Sequence, residues 1–152
     1  MRKWLMGYVL LKLGHIALAA IWIGAGIGFP LDVRATVARG PPHTGVLRER
    51  VARTTRIAVP CALLTVLTGV ALVLSMGGFS QVSSRYLWAF APVVAGFMTG
   101  GGLVEPTLRR LWRAIDAGDR EAQARLARRF TAGIALEHVF RATALALMVV
   151  PF

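Results

Sequence analysis

The sequence predicts an all-α integral membrane protein, an antiparallel four-helix bundle forming a single domain over residues 1–152. Three observations carry that expectation. The chain is 56% hydrophobic and only 16% charged, with a mean hydropathy of +0.61, whereas a soluble domain has about a quarter of its residues charged. Its apolar residues fall into four blocks, each close to the roughly 20 that a helix needs to cross a ~30 Å hydrocarbon core. Its arginines lie almost entirely between those blocks.

The first block, Trp4 to Phe29, is the longest and carries Lys12 and His15. Its start, Met1-Arg2-Lys3-Trp4, mimics a signal peptide, and Ala17-Leu18-Ala19 mimics a cleavage site. The apolar run continues well past Ala19, so it reads as an uncleaved span. The second block is Ile57 to Met76, with Pro60 early in it. The third is Tyr86 to Val104, where Pro92 and the Gly100-Gly101-Gly102 run predict a kink and a loosened half. The fourth is Phe130 to Val150. Gly24-x-x-x-Gly28 and Gly96-x-x-x-Gly100 are small-residue spacings that let membrane helices approach closely.

The connections are uneven. Gly40-Pro41-Pro42 marks a loop, and Thr44 is the expected N-cap of the second helix. Gly77 to Ser80 is a short turn. Asp116-Ala117-Gly118-Asp119 reads as a helix stop, with Gly118 as C-cap, followed by a start capped by Asp119. Helices three and four should therefore extend past the bilayer as an αα-hairpin bearing arginines.

Net charge is +11, from 16 arginines and 2 lysines against 7 acidic residues. On a soluble chain that balance would suggest nucleic acid, but its confinement to the connections is the pattern of positive-inside topology. Thirteen arginines lie in the first and third connections, against Arg2, Lys3 and Arg85 on the other side. That predicts both termini on the periplasmic side of a bacterial inner membrane. The single cysteine, Cys61, excludes an internal disulfide and a cysteine-rich metal cluster and suits a small apolar filler. No nucleophile motif, phosphate loop or paired carboxylates support a hydrolase or kinase.

Ionisable residues inside a span are costly and often mark a site. Lys12 and His15 share a helix face, with Trp22 two turns along it. The fourth block holds Glu137, His138 and Arg141. At 1.5 Å per residue, His15 lies ~15 Å in from Leu5, and His138 ~18 Å in from Val150. The two histidines are thus expected level with each other, each with a cation one turn outward. That layout suits haem b between two axial histidines, with Lys12 and Arg141 at the propionates, Trp22 against the macrocycle, and Ala19 and Ala142 leaving room. Plainer readings stand beside it. Glu137 and Arg141 can neutralise each other at i, i+4, Lys12 can snorkel, and a histidine can hydrogen-bond a neighbouring helix. His43, beside two prolines, reads as a solvated surface residue. A second metal reading gathers Met6, Met76 and Met148 at the outer mouth, where thioethers with histidine suit Cu(I).

Lys12-x-x-His15-Ile16, followed by Trp22, Gly24 and Pro30, resembles a superfamily of small membrane proteins. It contains the HemJ-type protoporphyrinogen oxidases, the CopD copper-resistance proteins and related four-span proteins of unknown function. Ile57-x-x-Pro60, then Leu64-Thr65 and Gly69, looks like the second-helix segment of HemJ-like proteins. The ending Val149-Val150-Pro151-Phe152 is similar to their terminal Val-Lys-Pro-Phe, without its lysine. The resemblance implies a four-helix membrane bundle, with haem or porphyrin handling in the HemJ branch and copper handling in the CopD branch. It also implies His15 as a haem ligand. His138 matches no motif of the superfamily, and the Asn-Glu-x-Pro element of HemJ last helices is replaced by Leu136-Glu137-His138.

The expected function is therefore a haem b-binding membrane protein for electron transfer or porphyrin redox chemistry. The alternatives are CopD-like copper handling and a cofactor-free accessory subunit. Its expected partners are the lipid bilayer, haem or porphyrin, and a second copy or a larger membrane complex.

Overall fold

In the computed structural model, which describes residues 2–149 without the side chains of Arg2, Lys3, Trp4 and Arg85, four helices are long and apolar enough to cross a membrane. They are Leu5–Arg39, His43–Ser75, Tyr86–Asp116 and Arg120–Val149. The protein is an all-α four-helix bundle whose natural solvent is a lipid bilayer. Val150, Pro151 and Phe152, and the outer charges of Arg2, Lys3 and Arg85, lie outside what is described.

The first span bends where its composition changes. α1 (Arg2–Ile27) gives way at Gly28 to α2 (Phe29–Arg39), which has Pro30 in its first turn and Asp32 close behind. Proline at that position loses no helical hydrogen bond, and an acid there faces the positive helix end. α2 is amphipathic and buries Pro30, Val33, Thr36 and Val37. α3 (His43–Ser75) runs through Pro60 unbroken. Thr44 is not its cap: it is the second residue of the helix and is buried, while His43 at the start is exposed as expected.

The third span has three parts: α4 (Ser84–Thr99), a π-helical segment (Gly100–Val104) and α5 (Glu105–Asp116). The expected weak point at the glycine run thus takes the form of a π segment, a wider turn that often accompanies functional sites. α6 (Arg120–Val149) completes the bundle. The C-cap of α5 is Ala117 and not Gly118, which follows it at φ 70°, so the stop falls one residue earlier than predicted. The Asp119 carboxylate accepts from the Ala122 amide at 2.9 Å, and the predicted start stands.

The spans pack as two antiparallel pairs, α1 on α3 and α4 on α6. His15 meets Thr68 and Asp32 meets Arg50 in the first pair; Gly96 meets Phe140, and Gly133 meets Val104, in the second. The hydrophobic core does not sit in the middle of the spans. It lies at the arginine-rich end, where Val33, Val37, Leu47, Val51, Leu111, Phe130 and Ile134 close together. Water drives apolar surface inward there, at roughly 1.5–3 kcal/mol for each large side chain. Inside lipid that drive is absent, so apolar faces can look outward, and contacts rest on small residues and polar pairs. Ion pairs brace the arginine-rich end: Arg48 to Asp116 at 2.9 Å and Arg50 to Asp32 at 3.2 Å.

Candidate functional site

The intramembrane polar residues form two separate groups. In the first, His15 of α1 faces Thr68 and Gly69 of α3. Its Nδ1 lies 3.0 Å from the Thr68 hydroxyl. That hydroxyl has a single hydrogen, and it is committed to the Leu64 carbonyl at 2.7 Å, the usual back-bond of threonine in a helix. Thr68 Oγ1 therefore accepts, Nδ1–H of His15 donates, and Nε2 keeps its lone pair on a half-buried ring. Gly69 makes the fit possible, since a Cβ there would stand 3.2 Å from His15 Cε1. Lys12, one turn outward, is exposed.

The second group lies deeper and joins three helices. Glu137 and Arg141 of α6 pair at 2.5 Å, with only 8% and 13% of their side chains exposed. The Arg141 guanidinium lies 4.7 Å from the Trp22 ring centroid, and Trp22 in turn stacks on Phe97 of α4 at 5.7 Å. Gly100, at the start of the π segment, accommodates Glu137: a Cβ there would come within 2.7 Å of Oε1. His138 is held by Arg141, whose guanidinium donates to Nδ1 at 3.3 Å. Guanidinium is donor only, so in neutral His138 the hydrogen is on Nε2, which is buried and turned toward Gly26 of α1. A Cβ at Gly26 would stand 2.9 Å from His138 Cε1.

These contacts correct the expected depths. His138 is level with Gly26, eleven residues along α1 from His15, an offset of about 16 Å at 1.5 Å per residue. The two imidazoles do not face one site. His138, Arg141 and Trp22 come together as expected, but without His15 and Lys12. The expected alignment took Leu5 and Val150 as level, whereas the register is set by the contact of Gly26 with His138. The small-residue spacings also divide: Gly100 abuts Glu137, whereas Gly24 and Gly28 face open space and Gly26, between them, makes the close approach. Ala142, expected beside a macrocycle, is exposed.

The two groups differ in what they offer a ligand. A haem held by both histidines does not fit, because one iron cannot reach both rings. His138 alone is a poor donor: its lone pair is occupied by Arg141 and its other nitrogen is covered by α1. His15 has the attributes of a metal-binding imidazole, a hydrogen bond fixing Nδ1–H and a lone pair on Nε2. Among the described residues no group of three or more His, Cys, Asp or Glu could hold a metal ion. Met6 and Met76 are 64% and 46% exposed, so they offer no enclosed thioether site.

Thr68, Gly26 and Phe97 are members of these groups that the sequence reading passed over. The available signal was a hydroxyl–glycine pair, Thr68-Gly69, inside an otherwise apolar span.

The fold and these groups define a small four-span membrane protein with an oriented histidine and a closed ion-pair cluster. Comparisons with protein-family models, curated proteins and solved structures match nothing to this chain.

Proposed function

We propose that the chain is a haem b-binding membrane protein serving electron transfer or porphyrin redox chemistry, with His15 as its axial ligand. The observation that carries this reading is the Thr68 hydrogen bond, which fixes the ring and leaves Nε2 as the lone-pair nitrogen. The likeness of Lys12-x-x-His15 and of Leu64-Thr65 with Gly69 to the HemJ–CopD superfamily supports it further, because those two segments meet at His15. Lys12, one turn outward and exposed, is the residue that would meet a propionate. When bound, haem b would supply the one-electron chemistry; the chain's own part is to orient His15 through Thr68 and Gly69. His15 would be the one histidine of the chain to hold the group, and any further ligand would come from substrate or a second copy. The thirteen-to-three distribution of basic residues supports a bacterial inner membrane with both termini periplasmic.

A second reading is favoured by the deeper cluster. Glu137 and Arg141 neutralise each other, with Trp22 and His138 Nδ1 against the guanidinium. Only His138 Nε2 and Arg141 Nε are left without a partner among the described atoms of the cluster, so these buried charges serve as a latch between the two helix pairs without any ligand. On that reading the chain is a cofactor-free subunit of a larger membrane complex. Purification in detergent with haem supplied decides between them. A Soret band lost in His15→Ala supports the haem reading; no band, with partners co-purifying, supports the subunit.

A further inference from the structure

The arginines at the core-bearing end are not equivalent. Arg48, Arg50, Arg109 and Arg125 there each pair with a carboxylate. Arg34, Arg120 and Arg128 form no ion pair among the described residues, and all three line one cleft of about 340 Å³ between α2 and the start of α6. No acidic residue lines it; its apolar wall includes Val37 and Ala127. The Arg120 guanidinium lies over Gly40, which ends α2 at φ 74°, so a side chain at Gly40 would displace it.

Gln123 supplies the second observation. It lines the same cleft and is 3% exposed. Its amide nitrogen donates to the Ala114 carbonyl at 3.1 Å, while Oε1 is buried and accepts from nothing. A buried acceptor left unmade is costly. Three unpaired guanidinium groups call for an anion, and the idle oxygen calls for a hydroxyl donor on that anion.

We propose that this cleft binds a phosphate group that also carries a hydroxyl, either the glycerophosphate headgroup of an anionic lipid or free hydrogen phosphate. Arg34, Arg120 and Arg128 meet the phosphate oxygens, and Gln123 Oε1 accepts from the hydroxyl. Basic pockets at membrane edges take lipid headgroups in this manner, and the apolar wall suits the glycerol carbons. The site is independent of haem binding at His15.

The test uses the full chain in detergent and two triple variants of equal charge. One removes the cleft arginines (R34Q/R120Q/R128Q). The other removes exposed, unpaired arginines elsewhere (R53Q/R110Q/R113Q). Native mass spectrometry with phosphatidylglycerol against phosphatidylcholine should show a preference of about tenfold or more for the anionic lipid in the parent and the second triple. The first triple should lose it, and so should Ala124→Glu, which puts a carboxylate on the cleft wall while leaving every arginine. If inorganic phosphate raises the unfolding temperature with the same variant dependence, and no lipid preference appears, the source is free phosphate. Equal loss in both triples, unaltered binding in Ala124→Glu, or no response to either probe overturns the proposal.

Discussion

Nδ1 of His15 donates to the Thr68 hydroxyl at 3.0 Å, which ties the first membrane helix to the second and fixes which imidazole nitrogen keeps its lone pair. Removing the hydroxyl while keeping the shape frees the ring. On the proposed haem reading, Thr68→Val should weaken haem binding by roughly 10–100-fold, the usual effect of losing a ligand's supporting hydrogen bond. Thr68→Ser should restore most of it. Haem titration followed by absorbance checks both.

Gly26 and Gly24 occupy similar sequence settings and opposite structural ones. A methyl group at Gly26 meets the His138 ring at 2.9 Å, whereas one at Gly24 meets nothing within 4 Å. Gly26→Ala should destabilise the protein by about 1–3 kcal/mol through overpacking. Gly24→Ala should be neutral or stabilise by up to about 1 kcal/mol through helix propensity. Unfolding in detergent distinguishes them.

The Glu137–Arg141 pair is the most enclosed ion pair among the described residues. Glu137→Gln or Arg141→Met alone leaves a buried charge uncompensated and should cost about 3–5 kcal/mol. The double change Glu137→Gln with Arg141→Met should cost much less than the two single effects together. A double-mutant cycle measures that coupling, and additive losses would show that the pair is not a unit.

Orientation is tested by single cysteines in a Cys61→Ala background. Ser80→Cys lies in the turn between α3 and α4, and Ala117→Cys in the turn between α5 and α6. With periplasmic termini, a membrane-impermeant thiol reagent added to spheroplasts should label position 80 and spare position 117.

Much of the architecture was legible because its signals are local. Block length marks the spans, and Gly118 with Asp119 marks the hairpin between α5 and α6. The Gly100-Gly101-Gly102 run marks the place where the third span widens into a π turn. The amphipathic α2 was hidden because the apolar block stops at Phe29, and Pro30 and Asp32 just beyond it are also a good helix start.

The candidate site was legible in composition but not in register. Lys12, His15, Trp22, Glu137, His138 and Arg141 stand out as polar or aromatic residues within apolar blocks. Which of them meet depends on how far α1 slides along α6. Lipid sets no sharp register on an apolar run longer than one crossing. The sliding is fixed by a glycine admitting an imidazole, Gly26 against His138, and that complementarity exists only between helices. Thr68 was overlooked for a related reason: a threonine that back-bonds to its own helix looks inert until a partner faces it.

The most direct test of the haem reading is the absorption spectrum of haem-supplemented protein, compared between His15→Ala and His138→Ala. The account predicts a Soret band in the parent and in His138→Ala, and its loss in His15→Ala. A band that survives His15→Ala and disappears in His138→Ala would contradict it.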